Sequence, residues 1–194
     1  CKRITTCYDV TYLKDTCFML WDGKKVTWGE GVYQVILIDN YLDENSFKII
    51  SETMNSDRFP WFFNNYKINP ESDDSVFNYQ FTHRFYDDDE VASPYFDRLD
   101  PILKKINAKK LIRIKANLNP VSHELIKYDE HVDQHYSCKA AIYYVNNNNG
   151  YTMFDDQKVE SKENRIVFFD ANTTHVGTNS TDCKNRMVIN FNYF

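Results

Sequence analysis

The 194 residues suit one domain with a sizeable core, and 42% hydrophobic, 16% aromatic and 26% charged residues exclude global disorder. No apolar run approaches the roughly 18–20 residues needed to cross a bilayer, so no membrane span is expected. A net charge of −5 gives no bulk reason to expect a nucleic-acid partner.

Five cysteines, Cys1, Cys7, Cys17, Cys138 and Cys183, are scattered without CxxC spacing. An odd, unpatterned set suits reduced thiols in a cytoplasm better than a disulfide framework. No stretch reads as a signal peptide, and the start at Cys1 instead of Met reads as a trimmed chain. The N-x-S/T triplets at Asn172 and Asn179 are read as chance occurrences.

Residues 1–31 are expected to form an extension to a single domain over 32–194, with a hairpin from Cys17 to Trp28 about the turn Asp22-Gly23. The β-branched run Val32 to Ile38 predicts a strand. Asp43 can then cap a helix that carries Phe47, Ile50 and Met54 at helical spacing and ends near Asn55, before Phe59-Pro60. Phe59-Pro60-Trp61-Phe62-Phe63 reads either as core packing beside a turn or as a wall facing a substrate. Phe77, Tyr79, Phe81, His83 and Phe85 alternate with polar residues, which predicts a strand with His83 as a hydrogen-bonded core histidine. Asp87 to Glu90 reads as a solvated loop. Ser93-Pro94 can start a helix, which Pro101 kinks or restarts with Asp100 as the new cap.

From Leu111 the pattern turns to strands. Helices followed by strands predict an α+β domain with helices backing a mostly antiparallel sheet. Over Leu111 to Leu118, Ile112, Ile114 and Ala116 share one face, and Arg113, Lys115 and Asn117 share the other. That polar face either lines a pocket or meets solvent. Lys139 to Val145 and Tyr151 to Phe154 read as a hairpin around Asn146 to Gly150, and Arg165 to Asp170 as a deep strand. The last strand points Met187, Ile189, Phe191 and Tyr193 one way, and Arg186, Val188, Asn190 and Asn192 the other. A guanidinium on such a face calls for a carboxylate, either internal or from a dicarboxylate ligand.

His131-Val132-Asp133 carries the chemistry. On a strand, residues two apart share a face. One histidine from a distant strand, such as His175, would complete the two-His-one-carboxylate set of non-haem Fe(II) oxygenases. The rival is a helical pair of His131 and His135, but a zinc-protease motif needs glutamate where this chain has Val132. His135 is therefore read as a pocket or surface residue.

Together, His131-Val132-Asp133, Ala141 to Asn146, Gly150 to Phe154, His175 and Arg186 resemble the 2-oxoglutarate- and Fe(II)-dependent dioxygenases. The branch they look most like is the prolyl-hydroxylase-like one with its small phage-encoded members, and the resemblance runs from about Val32 to Phe194. It implies a double-stranded β-helix, a cupin-like jelly roll backed by N-terminal helices. It implies iron ligands at His131, Asp133 and His175, with Arg186 and the Tyr144 hydroxyl on the distal carboxylate of 2-oxoglutarate. Asn117 and Asn190 fall where the family places further polar contacts to that cosubstrate. The implied reaction consumes O₂, releases succinate and CO₂, and hydroxylates an unactivated C–H bond of a peptidyl proline or small molecule, with ascorbate as a candidate reductant. The implied location is the cytoplasm, that of the host for a phage protein. A single glycine before Tyr151, and arginine in place of the lysine of collagen-type enzymes, weigh against a prolyl substrate. The reading from another class is a metal-containing jelly-roll module without turnover, which has no use for a cationic clamp beside the metal.

Overall fold

A computed structural model describes residues 10–12, 35–68 and 76–194 of the chain, the first three by their backbone. The expected Cys17–Trp28 hairpin lies outside the described residues.

The elements in chain order are β1 (Val10–Tyr12), β2 (Ile36–Ile38), α1 (Glu44–Asn55), β3 (Phe62–Asn64), β4 (Gln80–Asp87), β5 (Glu90–Val91), a 3₁₀ turn (Phe96–Leu99) and α2 (Asp100–Ile106). There follow β6 (Leu111–Pro120), β7 (Lys139–Tyr144), β8 (Tyr151–Phe154), β9 (Gln157–Glu160), β10 (Arg165–Asp170), β11 (Val176–Gly177) and β12 (Asn185–Tyr193). Among the described residues no helix is long and apolar enough to cross a membrane.

Asp43 starts α1 as expected, its carboxylate accepting from the Ser46 backbone N–H at 3.0 Å. The helix buries Ile50 and Met54 and stops at Asn55. Pro101 restarts a helix rather than kinking one. It lies in the first turn of α2, where a missing N–H costs nothing, but Leu99 holds the cap position and Asp100 is already helical.

Nine strands form one antiparallel sheet in the order β1-β2-β10-β7-β12-β6-β4-β3, with β5 beside β4; β11-β8-β9 form a second sheet of three. Period-2 alternation splits the large sheet into two faces. Ile114, Ala116, Ala141, Tyr143, Ile166, Met187, Ile189 and Phe191 join α1 and α2 in one core. Ala140, Ile142, Tyr144, Val167, Phe169 and Val188 face the small sheet and pack on Phe154 and Val159 in the other. The layering is helices, large sheet, small sheet.

Two sequence expectations fail here. β7 and β8 are not a hairpin: β7 pairs with β10 and β12, whereas β8 pairs with β9 and β11. The Asn146–Gly150 connection carries the chain from one sheet to the other. Its tether is Asn146, whose amide donates to the Asn185 carbonyl at 2.8 Å while its oxygen accepts from the Met187 N–H at 2.9 Å. Ile112 does not share a face with Ile114 either. The β6–β12 register slips there, Asn192 opposing Arg113 and Tyr193 opposing Leu111, so Ile112 packs against the inter-sheet core.

The aromatic string is part core and part surface, and none of it lines the polar cavity of the candidate active site. Phe59 is buried and Trp61 packs on the helix-side core, while Phe62 and Phe63 are exposed. His83 is the core histidine anticipated. Its Nδ1 donates to the Pro60 carbonyl at 2.8 Å, which leaves Nε2 to accept from the Ser93 hydroxyl at 2.7 Å. Burial lowers its pKa, and the neutral ring packs against Phe59 at 4.3 Å.

Gly150, the single glycine before Tyr151, sits where a Cβ would meet the Asn179 carbonyl oxygen, Arg186 Cδ at 2.6 Å and Asn148 Oδ1 at 2.8 Å. A backbone carbonyl cannot swing aside as a side-chain tip can. Gly150→Ala is expected to cost about 1–3 kcal/mol and to lower the melting temperature by roughly 4–10 °C. A thermal melt within 1 °C of the parent would show, by this scale, that the corner yields freely.

Candidate active site

The site is assembled where the two sheets approach. His131 and Asp133 do not lie on a regular strand, contrary to expectation. Residues 127–131 run antiparallel to residues 175–178 through two isolated bridges, Lys127 with Thr178 and His131 with His175. His131 and His175 exchange both backbone hydrogen bonds, at 3.1 and 2.9 Å. This pairing sets the two imidazoles side by side, 4.4 Å between ring centres. The extended backbone still turns Asp133 to the same side as His131, so one ligand atom from each of His131, Asp133 and His175 falls within 4.8 Å of the others. His135, the partner in the rival helical reading, is exposed and stands apart from the group.

The donor chemistry fits a dication. His131 Nδ1 lies 3.2 Å from the Asp129 carbonyl and His175 Nδ1 lies 3.0 Å from that of Thr173. A carbonyl only accepts, so each ring carries its proton on Nδ1 and keeps a lone pair on Nε2. Burial and the neighbouring His175 hold the His131 pKa below its ordinary value, which keeps that ring neutral. The His175 and Asp133 side chains are each 3% exposed, with Nε2 and Oδ1 at 4.0 Å. Asp133 Oδ2 accepts from Asn192 Nδ2 at 3.1 Å, which aims the carboxylate. Phe154 and Phe169 wall the His175 ring at 5.5 and 5.1 Å.

These three residues open into a cavity of about 240 Å³. Its floor is the polar face of β6, with Arg113, Lys115, Asn117 and Asn119, and β12 contributes Arg186, Val188 and Asn190. The alternation seen in sequence therefore lines a pocket instead of meeting solvent. Lys67 and Ile68 reach the rim from the loop after β3. The Asn146–Gly150 loop does not line the cavity, and its Gly150 packs against the Arg186 side chain.

Arg186 is 3% exposed, and among the described residues no carboxylate pairs with it. Its Nε donates to Ser161 Oγ at 2.7 Å, and Nη2 donates to Thr152 Oγ1 at 3.0 Å. Hydroxyls position a guanidinium without neutralising it, so its remaining donors suit an anion in the cavity. Tyr144, expected on the same anion, lies behind this group. Its hydroxyl donates to Thr152 at 2.9 Å and its ring stacks 5.7 Å from the Arg186 guanidinium carbon.

Tyr128, by contrast, lines the cavity, and its buried hydroxyl has no hydrogen-bond partner among the described residues. Burial raises its phenol pKa while the Arg186 charge works against the rise, which puts the two groups within electrostatic reach. A lone tyrosine three residues before His131 carries no sequence signature; only the bridge to residues 175–178 gives it a place. Arg113 Nε, Asn117 Oδ1, Asn119 Oδ1 and Asn190 Oδ1 are likewise buried without partners among the described residues. Asn117 and Asn190 thus stand on the cavity wall with bonding capacity to spare. Unspent polar atoms converging on one cavity are what a polar ligand with several oxygens requires.

No family model matches the chain, and neither does any curated protein sequence. Solved structures do match. A prolyl-4-hydroxylase from Pseudomonas putida superposes with a TM-score of 0.56 at 13% identity, over 83% of this chain and 92% of that one. SnoN, a non-haem α-ketoglutarate-dependent epimerase from nogalamycin biosynthesis, gives 0.60 at 14% identity, over 82% and 77%. An oxidoreductase of the 2OG-Fe(II) oxygenase family from Burkholderia pseudomallei gives 0.58 at 8% identity, over 82% and 84%. The α+β chain therefore has the double-stranded β-helix fold of the prolyl-4-hydroxylases and other 2OG-Fe(II) oxygenases, with a His-x-Asp…His cluster at its polar cavity.

Proposed function

We propose that the chain is an Fe(II)- and 2-oxoglutarate-dependent oxygenase that hydroxylates a C–H bond of a substrate held beside His131, Asp133 and His175. One observation carries this reading. The facial set of two imidazoles and a carboxylate shares its cavity with Arg186, a buried cation that no carboxylate among the described residues neutralises.

When bound, Fe(II) would couple the oxidative decarboxylation of 2-oxoglutarate by O₂ to oxidation of the substrate. The protein's part is positioning. Nε2 of both histidines and the Asp133 carboxylate would hold the metal. Arg186 takes the distal carboxylate through the donors that Ser161 and Thr152 leave over, and Tyr128 adds a hydroxyl to the same anion. Asn192 keeps Asp133 from rotating away, and Phe154 and Phe169 keep water from the His175 ring. A module that bound metal without turnover would have no use for a buried guanidinium in the same cavity.

Anaerobic addition of Fe(II) and 2-oxoglutarate should produce a weak visible charge-transfer band, and admission of O₂ should release succinate. Folded protein that binds Fe(II) without developing the band would refute the oxygenase reading. Hydroxylation in particular is checked by mass spectrometry of the first substrate that stimulates succinate release, which should gain one oxygen atom.

A further inference from the structure

The cavity holds a second cationic group, at the other end of the β6 face from Arg186. Along β6, Arg113, Lys115, Asn117 and Asn119 face the cavity in succession. The register places Asn119 opposite Arg186, Lys115 opposite Asn190 and Arg113 opposite Asn192, the residue that holds Asp133. Lys115 and Asn119 are four positions apart, about 13 Å of strand. Arg186 thus lies at one end of the face and the Arg113/Lys115 pair at the other, with the triad alongside. A diacid whose distal carboxylate is held by Arg186 lies toward the opposite end of this face from Arg113 and Lys115.

Among the described residues neither cation is matched: Lys115 and Arg113 make no ion pair or side-chain hydrogen bond there, and Arg113 Nε is buried without an acceptor. The acids that face Lys115 are already engaged: Asp87 pairs with Arg84 at 2.7 Å, and Asp133 belongs to the triad and to Asn192. Burial and the neighbouring Arg113 lower the Lys115 pKa to about 8, so the two cations disfavour each other as they stand. An anion between them relieves both. In a chain of net charge −5, two unmatched cations side by side in one cavity run against the general balance.

We propose that Arg113 and Lys115 form a second anion subsite, which binds a carboxylate or phosphate group on the primary substrate and sets its C–H bond beside the triad. This deepens the oxygenase reading and rests on it. It names the substrate class as a compact anionic molecule, one able to fit a cavity of about 240 Å³ together with the cosubstrate.

The test loads the protein with Fe(II) and saturating 2-oxoglutarate under argon, then titrates it calorimetrically with inorganic phosphate and, separately, with acetate. One anion should bind per chain. Arg113→Gln and Lys115→Gln should each weaken it ten-fold or more, Lys115→Arg should retain it, and the exposed Lys104→Gln should leave it unchanged. Tighter phosphate than acetate assigns a phosphoryl substrate; the reverse order assigns a carboxylate. The half-saturation for 2-oxoglutarate, read from the charge-transfer band, should stay within two-fold of the parent in both Gln variants. Thermal melts confirm that each variant is folded. The subsite is overturned if neither anion binds, if folded Gln variants bind as the parent does, or if they raise the 2-oxoglutarate half-saturation as Arg186→Gln does. Absence of the band in the parent would remove the oxygenase reading itself, and anion binding by the same protein would still report on the two cations.

Discussion

Asp133→Ala is expected to lower Fe(II) affinity by well over 100-fold and to abolish succinate formation, while the protein stays folded. Of the three ligands, Asp133 is the one that brings charge. Without it two neutral imidazoles face a dication in a largely buried site, where an uncompensated charge is costly. The effect should exceed that of Asn192→Ala, which removes only the donor that aims Asp133 and should cost about 10–100-fold in metal affinity. The fold should tolerate Asp133→Ala because it leaves one amide unsatisfied, a matter of about 1–3 kcal/mol. Anaerobic Fe(II) calorimetry with circular dichroism on the same samples checks both parts. Retention of one tight Fe(II) by folded Asp133→Ala would refute the assigned ligand set.

How much of this could be read beforehand depended on whether the deciding contact was local. β12 was legible because every second residue is apolar, and Met187, Ile189 and Phe191 do face the helices; the burial of Val188 under the small sheet is not written in that alternation. The start of α1 was legible because Asp43 caps a residue only three positions on. The β7–β8 connection was not. An Asn/Gly loop between two β-rich segments looks the same whether the chain folds back or crosses to another sheet, and the decision lies in Asn146 bonding to Asn185 and Met187, about forty positions away. Residues 131–133 show the same ambiguity. Alternation placed His131 and Asp133 on one side, but a strand and a pair of isolated bridges share that signature. The slip at Ile112 depends on β12 in the same way. Within the site, the ligands and Arg186 stood out as rare residue types at meaningful spacing. Tyr128, Thr152, Ser161 and Asn192 did not, since what marks them is a neighbour distant in sequence.

Arg186→Gln should raise the half-saturation for 2-oxoglutarate by about 10–100-fold while Fe(II) affinity stays at the parent value. The loss corresponds to one or two charge-assisted hydrogen bonds to a carboxylate, at about 1.5–3 kcal/mol each. The thermal behaviour gives an independent sign. Arg186 is buried without a counter-ion among the described residues, so in the ligand-free protein its charge is a desolvation cost more than a source of stability. Gln keeps a donor for Ser161 or Thr152 and removes that charge. Ligand-free Arg186→Gln should therefore melt no lower than the parent. Adding Fe(II) and 2-oxoglutarate should then raise the melting temperature of the parent, because a ligand that binds only the native state stabilises it by mass action, and should move the variant much less. A structural arginine would behave in the opposite way: its loss would lower the ligand-free melt and leave the ligand-induced shift intact. Calorimetric scans of the two proteins with and without 2-oxoglutarate separate the cases, and a full ligand-induced shift in folded Arg186→Gln would take the carboxylate clamp away from this residue.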